Sequence, residues 1–354
     1  KNKIKNNKLV NKYKEHIHIC CTSEDINNIA YSLMIKEGRD LLIYQANILQ
    51  RTMKSMGKKY KNIAMLSHTH GQPASPTTMG KEFINFYKRL DTQIDDLSNI
   101  EIKGKFNGAT GNYSAHSVTY PKVNWPNTMR KFVNSLKLEF NSHTTQIEPH
   151  DYVADLCHKI NHINSILIGF SQDLWAYISK NYFTQKNIKS EIGSSTMPHK
   201  INPINFENAE GNLGMSNAIS QYFANKLVIS RLQRDLSDST VLRNIGLVYA
   251  YSIVSYKNIT LGLSKLDINK QKINNDLDEC WEILAEPIQM VARKYQISNS
   301  YEYLKKYTRG KKVDKKVIEK IITNLNIPEN EKSRLLELTP RKYIGYANKL
   351  CDVK

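Results

Sequence analysis

Between Ser190 and Glu207 the chain reads SEIGSSTMPHKINPINFE. Gly193, Ser194 and Ser195 give backbone freedom and two hydroxyls. Met197-Pro198 stiffens the far side, and Lys200 supplies a cation. Asn202-Pro203 reads as the cap and first residue of a helix, whose N-terminus favours anions. These are the parts of an anion-binding loop that carries a hydroxyl nucleophile or base. A plain connector accounts for the Gly-Ser-Ser half, but not for Met-Pro-x-Lys-x-Asn-Pro.

Three other clusters offer chemistry. In HIHICCTSEDINN (16–28), His16, His18, Cys20 and Cys21 suggest a metal, but zinc ligands usually pair as CxxC or HxxxH and no second half follows. Thr22-Ser23-Glu24-Asp25 is either a helix cap with acids in its first turn or a pair of hydroxyls facing an anion. In SHTHGQPASP (67–76), His70 stands on a Gly/Pro-bounded turn before a long helix. That suits either a structural histidine or an acid–base group. In TTQIEPHDY (144–152), Gln146 and His150 lead into a helix entered at Pro149, with Asp151 in its first turn. His158 and His162, spaced i and i+4, line a helix face and have no partner acid motif.

The elements that must position these groups are helices. Val153, Leu156, Ile160, Ile163, Leu167, Phe170, Leu174 and Ile178 alternate threes and fours, so one long helix with a narrow apolar seam is expected. Met79 to Leu97 repeats the pattern, and another helix covers about 27–56. Pro203 to about Arg234 reads as helix with small residues on one face (Gly211, Gly214, Ala218, Ala224). A further helix spans about 239–265. Lys103–Tyr120 is a Gly/Asn-rich connection, and no strand alternation stands out. Beyond residue 265 the seams shorten, with helices expected at about 277–295, 301–308, 315–325 and 340–350. The fold class is therefore all-α: a long-helix bundle with a small helical C-terminal domain. Residues 16–264 form the bundle and 265–354 the second domain. Seams this long also suggest helices packing between subunits.

The 354 residues carry a net charge of +18. The basic residues are spread along the chain, which argues for solvated faces rather than a nucleic-acid motif. A positive field still attracts small anions. No apolar run approaches a membrane span, and no signal peptide is visible. Five cysteines without a CxxC fit a reducing, cytoplasmic setting better than a disulfide framework.

GSSTMPHKINP resembles the signature of the fumarase/aspartase superfamily. CCTSEDINN, SHTHGQPASP, GNYSAH, TTQIEPHDY, EIGSSTMPHKINPINFENAEGNLG and SRLQRDLSDSTVLRN resemble, more narrowly, the bacterial-type adenylosuccinate lyases, from about His16 to Leu350. The resemblance implies anti β-elimination of fumarate from adenylosuccinate, giving AMP, and from the related succinocarboxamide ribonucleotide (SAICAR), giving AICAR. It implies no cofactor and no metal. It further implies a homotetramer in which three subunits share each active site.

On matching positions the resemblance makes Ser194 the general base, His70 the general acid and Glu207 its partner carboxylate. Substrate contacts fall on Thr22, Ser23, Thr69, Gln146, Lys200, Asn202, Asn208, Arg234, Ser239, Thr240 and Arg243, with Arg234, Ser239 and Arg243 toward the nucleotide and its phosphate. The chemistry is consistent. Removing the Cβ proton beside a carboxylate builds a dianion, which Lys200, Asn202 and a helix N-terminus can stabilise. A serine is a poor base unless a cationic, water-excluded setting surrounds it. The family pattern has a further stretch before His16, so residues 1–15 are expected to be a remnant of an N-terminal domain. Argininosuccinate lyase is the alternative within the superfamily, and a basic helical nucleic-acid-binding protein the alternative outside it.

Overall fold

The computed structural model describes residues 7–186, 197 and 199–353. Ser194 and Ser195 lie outside the described residues. A short helix, α1 (Lys8–Asn11), precedes the long α2 (Ser23–Lys59). A hairpin of β1 (Ala64–Thr69) and β2 (Gln72–Thr78) leads into α3 (Met79–Ser98). After β3 (Lys103–Gly104) come α4 (Ser114–Thr119), α5 (Trp125–Ser135) and β4 (Glu139–Phe140), then α6 (Asp151–Ser179) and β5 (Phe183–Gln185). α7 (Ile204–Lys226), α8 (Ser237–Leu242) and α9 (Ile245–Ser264) follow, with β6 (Leu266–Ile268) after them. The C-terminal stretch holds α10 (Lys270–Asp278), α11 (Ala285–Lys294), α12 (Ser300–Thr308), α13 (Lys315–Thr323) and α14 (Glu329–Leu336).

The long seams therefore become long helices, and the fold is mostly helical. The strands correct the expectation of none: β1 pairs antiparallel with β2, β3 parallel with β4, and β5 antiparallel with β6. Four helix boundaries also differ. The helix expected over 277–295 is split: α10 ends at Asp278, a 3-10 turn spans Trp281–Leu284, and α11 begins only at Ala285. The other three differ for local reasons. α7 stops at Lys226 rather than near Arg234. The Asp235 side chain accepts from the Arg231 N–H at 3.1 Å and the Ser237 N–H at 2.7 Å, offering the backbone a turn instead of a helix. The helix expected over 239–265 is broken into α8 and α9. There Asn244 Nδ2 donates to the Thr240 carbonyl at 3.2 Å. Residues 340–350 form only two 3-10 turns, with Gly345 left-handed between them (φ 52°). α4, α5, α10 and α14 were not expected, although Asn124 caps α5 by accepting from the Asn127 N–H.

Two compact units divide the chain. One gathers residues 1–47, 91–169 and 208–258; the other gathers 48–90, 170–207 and 259–354. In the first, stretches of α6, α7 and α9 meet around a dry polar knot. Asn164 Nδ2 donates to Ser216 Oγ (3.1 Å) and Ser252 Oγ (3.0 Å), and Tyr256 OH donates to Asn164 Oδ1 (2.9 Å). All four side chains are fully buried. A satisfied network of this kind fixes one helix register, because a slip would strand every member without a partner. In the second unit, the C-terminal helices close over Leu277, Ile288, Leu304, Ile318, Ile321 and Leu335, with Leu66 of β1 in the same cluster.

The second unit also holds a close helix contact. The Gly80 N–H donates to the Tyr60 carbonyl at 3.1 Å, and the Met79 N–H to the Ile63 carbonyl at 2.9 Å. The start of α3 thus satisfies carbonyls just past the end of α2, where no intrahelical donor remains. A Cβ on Gly80 would lie 2.3 Å from the Gly57 carbonyl oxygen and 2.5 Å from the Lys61 nitrogen.

Candidate active site

The first unit assembles the start of α2. Thr22 is its cap residue, with its carbonyl accepting from the Asp25 N–H at 3.0 Å. Asp25 reaches back, and its Oδ2 accepts from the Thr22 N–H at 2.9 Å, which is half of a capping box. The cap reading of Thr22–Asp25 therefore holds, and the acid does more than cap. Asp25 Oδ1 accepts from Lys105 Nζ at 2.7 Å and from the Asn107 N–H at 3.1 Å. Both ends of the Asp25–Lys105 pair are fully buried. Lys105 also donates to the Gly108 carbonyl (3.1 Å), while its backbone exchanges hydrogen bonds with the Asn28 amide. Burial lowers the Lys105 pKa, and the Asp25 hydrogen bond opposes that.

Beside this hub, Arg234 Nη1 donates to Glu24 Oε2 at 2.8 Å and to Gln146 Oε1 at 3.3 Å. The Gln146 backbone is itself placed by the Gln233 carbonyl, at 3.3 Å. Burial raises the Glu24 pKa, with the Arg234 charge working against it. Among the described residues, two buried atoms beside Glu24 have no hydrogen-bond partner: Arg234 Nε, a donor, and Asp238 Oδ1, an acceptor. His150 is left-handed (φ 66°), and burial pulls its pKa down to about 4, so it is neutral at pH 7. Ser23, Asn208, Thr240 and Arg243 are exposed, and Ser239 is half-buried. Asn208 Oδ1 accepts from Asn258 Nδ2 at 2.9 Å.

The second unit presents His70. Thr69 pairs with Gln72, leaving His70 and Gly71 as a two-residue hairpin loop. Both have positive φ, 54° and 75°, the geometry of a type I′ turn. Glycine suits that conformation; histidine adopts it less readily than glycine though more often than most residues, and left-handed non-glycine residues cluster at functional sites. Thr69 and His70 are exposed. The turn precedes β2, and only then the long helix, so the expected turn-to-helix order gains a strand. Glu207 lies in the first turn of α7 and accepts from the Trp175 indole N–H at 3.1 Å. Lys200 is exposed and Asn202 half-buried. The Pro203 carbonyl accepts the first helical bonds, from the Phe206 and Glu207 N–H groups, so Asn202 sits one residue before the cap position expected for it. His158 and His162 are exposed on α6. Among the described residues, no three His, Cys, Asp or Glu side chains are grouped to hold a metal.

The structure thus brings Gln146 and Arg234 together, next to Thr22, through residues the sequence reading left without a role. Lys105, Asp238 and Trp175 were missed, and Glu24 was read only as a first-turn acid, not as the partner of Arg234. Lys105 pairs with a partner 80 positions away, which no local pattern encodes. Its place in a Gly/Asn-rich segment does not separate it from Lys103, two residues before.

The fold is that of the fumarate lyase class. The crystal structure of a fumarate lyase from Mesorhizobium sp. BNC1 matches 95% of this chain and 77% of its own, with TM-score 0.78 at 17% identity. That of 3-carboxy-cis,cis-muconate lactonizing enzyme from Pseudomonas putida matches 94% and 75%, with TM-score 0.77 at 18% identity. A family model described as Lyase covers residues 1–217, and one described as Adenylosuccinate lyase C-terminal covers 230–344. The adenylosuccinate lyase of Buchnera aphidicola subsp. Schizaphis graminum (strain Sg) is 54% identical over 99% of this chain and 77% of its own length. That of Escherichia coli (strain K12) is 51% identical over 96% and 74%. The chain belongs to the adenylosuccinate lyase family.

Proposed function

We propose that the chain cleaves adenylosuccinate to AMP and fumarate, and SAICAR to AICAR and fumarate. The observation that carries this is identity above one half to adenylosuccinate lyases over nearly the whole chain. The base removes the Cβ proton of the succinyl group, and the electron pair is first held in the neighbouring carboxylate as an aci-carboxylate dianion. That pair then forms the C=C bond as the C–N bond breaks, its electrons leaving with the nitrogen, which takes a proton from the acid. Ser194 is the base, His70 the acid and Glu207 its partner carboxylate. A histidine at an exposed tip can meet a substrate directly, and imidazole is the commonest side chain for proton transfer. Thr22, Ser23, Thr69, Gln146, Lys200, Asn202 and Asn208 contact substrate. Arg234, Ser239, Thr240 and Arg243 hold the nucleotide end. Arg234, tied to Glu24, has its charge partly neutralised, so Arg243 is the better phosphate partner of the two.

The active form is a homotetramer in which three subunits share each site. Exposed apolar side chains along the long helices support this, among them Leu41 and Tyr44 on α2 and Val254 and Leu261 on α9. Residues 16–264 are the catalytic bundle and 265–354 the C-terminal domain. No described helix is long and apolar enough to cross a membrane. The cysteines are free, which supports a cytoplasmic setting. Fumarate release from adenylosuccinate, compared with release from argininosuccinate, is the test. Release from argininosuccinate alone overturns the reading.

A further inference from the structure

Lys105 is a fully buried lysine on a loop, paired with a fully buried acid. A helix start does not require this: an acid in the first turn serves as a cap when it faces solvent. Stability does not explain it either, because a buried ion pair replaced by apolar groups of similar volume is often neutral or stabilising. The location offers an explanation. Asp25 is within one helical turn of Thr22 and Ser23, the candidate contacts for an anionic substrate. A bare carboxylate there would oppose an arriving anion, and poorly hydrated surroundings screen that opposition weakly. Glu24, the nearest other acid, already has Arg234 as its counter-charge.

We infer that Lys105 is a positioning residue for substrate recognition: its ammonium cancels the Asp25 charge, so that Asp25 can anchor the Thr22 backbone without repelling the substrate's anionic groups. The inference rests on the functional reading above. It requires opposite effects from the two halves of the pair. Lys105→Met leaves an unpaired carboxylate behind the helix start and weakens anion binding. Asp25→Asn leaves an unpaired ammonium and strengthens it. Asp25→Asn with Lys105→Met is neutral again and binds nearly as the parent does.

The measurement is the dissociation constant of fumarate by titration calorimetry on the purified full chain, alongside KM and kcat for adenylosuccinate and a melting curve for each variant. Expected are a rise of about tenfold in the fumarate constant and in KM for Lys105→Met, with kcat within about threefold. A fall is expected for Asp25→Asn, and a value within about threefold of the parent for the double variant. A purely structural pair would move both single variants the same way, or change only their melting temperatures. Any other ordering of the fumarate constants overturns the inference. Should one single variant not fold, the order of the remaining two against the parent still decides. Calorimetry does not need turnover, so a parent chain that binds fumarate yet cleaves nothing sinks the substrate assignment without deciding the role of Lys105.

Discussion

In the unit built from residues 1–47, 91–169 and 208–258, the candidate contacts Thr22, Gln146 and Arg234 come with their partners in place, while Ser23, Thr240 and Arg243 are exposed. Thr22 is tied to Asp25, Arg234 to Glu24 and Gln146, and Asp25 to Lys105. In the other unit they stand at ends: His70 on a hairpin tip, Lys200 before a helix, Glu207 in a first turn with one indole donor. The two arrangements suit two jobs. Groups that recognise charge work best when already oriented, because reorientation would consume the binding energy. Groups that move protons need access, and their hydrogen bonds often tighten only once substrate is present.

Breaking the exposed side gives the largest effect. His70→Ala is expected to lower kcat by roughly 10²–10⁴ with KM little changed, and Ser194→Ala to do the same while still binding substrate. Steady-state kinetics with adenylosuccinate, plus calorimetry on Ser194→Ala, check both. Ser195→Ala should be milder; a dead Ser195→Ala beside an active Ser194→Ala would move the base by one residue. If the sites are shared, mixing the His70→Ala and Ser194→Ala proteins restores activity, and no recovery after verified subunit exchange counts against sharing.

Breaking the tied side acts on binding and stability instead. Glu24→Gln leaves the Arg234 guanidinium largely buried and without a charged partner, which should cost about 2–4 kcal/mol. KM should rise more than kcat falls, and thermal melts should shift down. A loss confined to kcat would erase the distinction between the two regions. Gly71→Ala tests the hairpin more gently. It places a side chain at φ 75° with open space around it, so strain of about 1–2 kcal/mol is expected, without a clash. Activity should fall with little change in melting temperature, if the turn aims His70.

The smallest effect concerns stability in acid. Lys294 and Arg334 hold the Glu331 carboxyl down at about 2, well below an ordinary glutamate. Its stabilising contribution is therefore full at neutral pH and is lost as pH falls from about 4 towards 2. Melting curves across that range should fall less steeply for Glu331→Gln than for the parent chain.

The long helices were legible because their apolar residues repeat on one stripe; 153–178 was read within two residues of α6 at each end. The hairpin was not. Its strands, AMLSHT and QPASPTT, lack alternation, and the burial of β2 deepens along the strand instead of switching faces. Motif residues were found by type and spacing, since a Gly-Ser-Ser loop or a His before Gly-Gln-Pro is local. The ties that orient them were hidden: Glu24 meets Arg234 across 210 positions and Asp25 meets Lys105 across 80. Side chains of Asp235 and Asn244 hold turns where periodicity would have continued a helix.

The contact between Gly57 and Gly80 sets how freely this chain can drift. An alanine at 57 would press on the end of the Ile84 side chain, 2.5 Å from its Cδ1, so a smaller residue at 84 can absorb it. An alanine at 80 would press on backbone, at Gly57 O and Lys61 N, and no neighbouring side chain can be trimmed to make room. A saturation library should therefore recover Gly57→Ala through a second-site change at 84 and never recover Gly80→Ala. Exposed lysines away from the candidate site, which give the chain much of its charge, would meanwhile accept almost anything. At this crossing, tolerance is set by backbone space and not by charge.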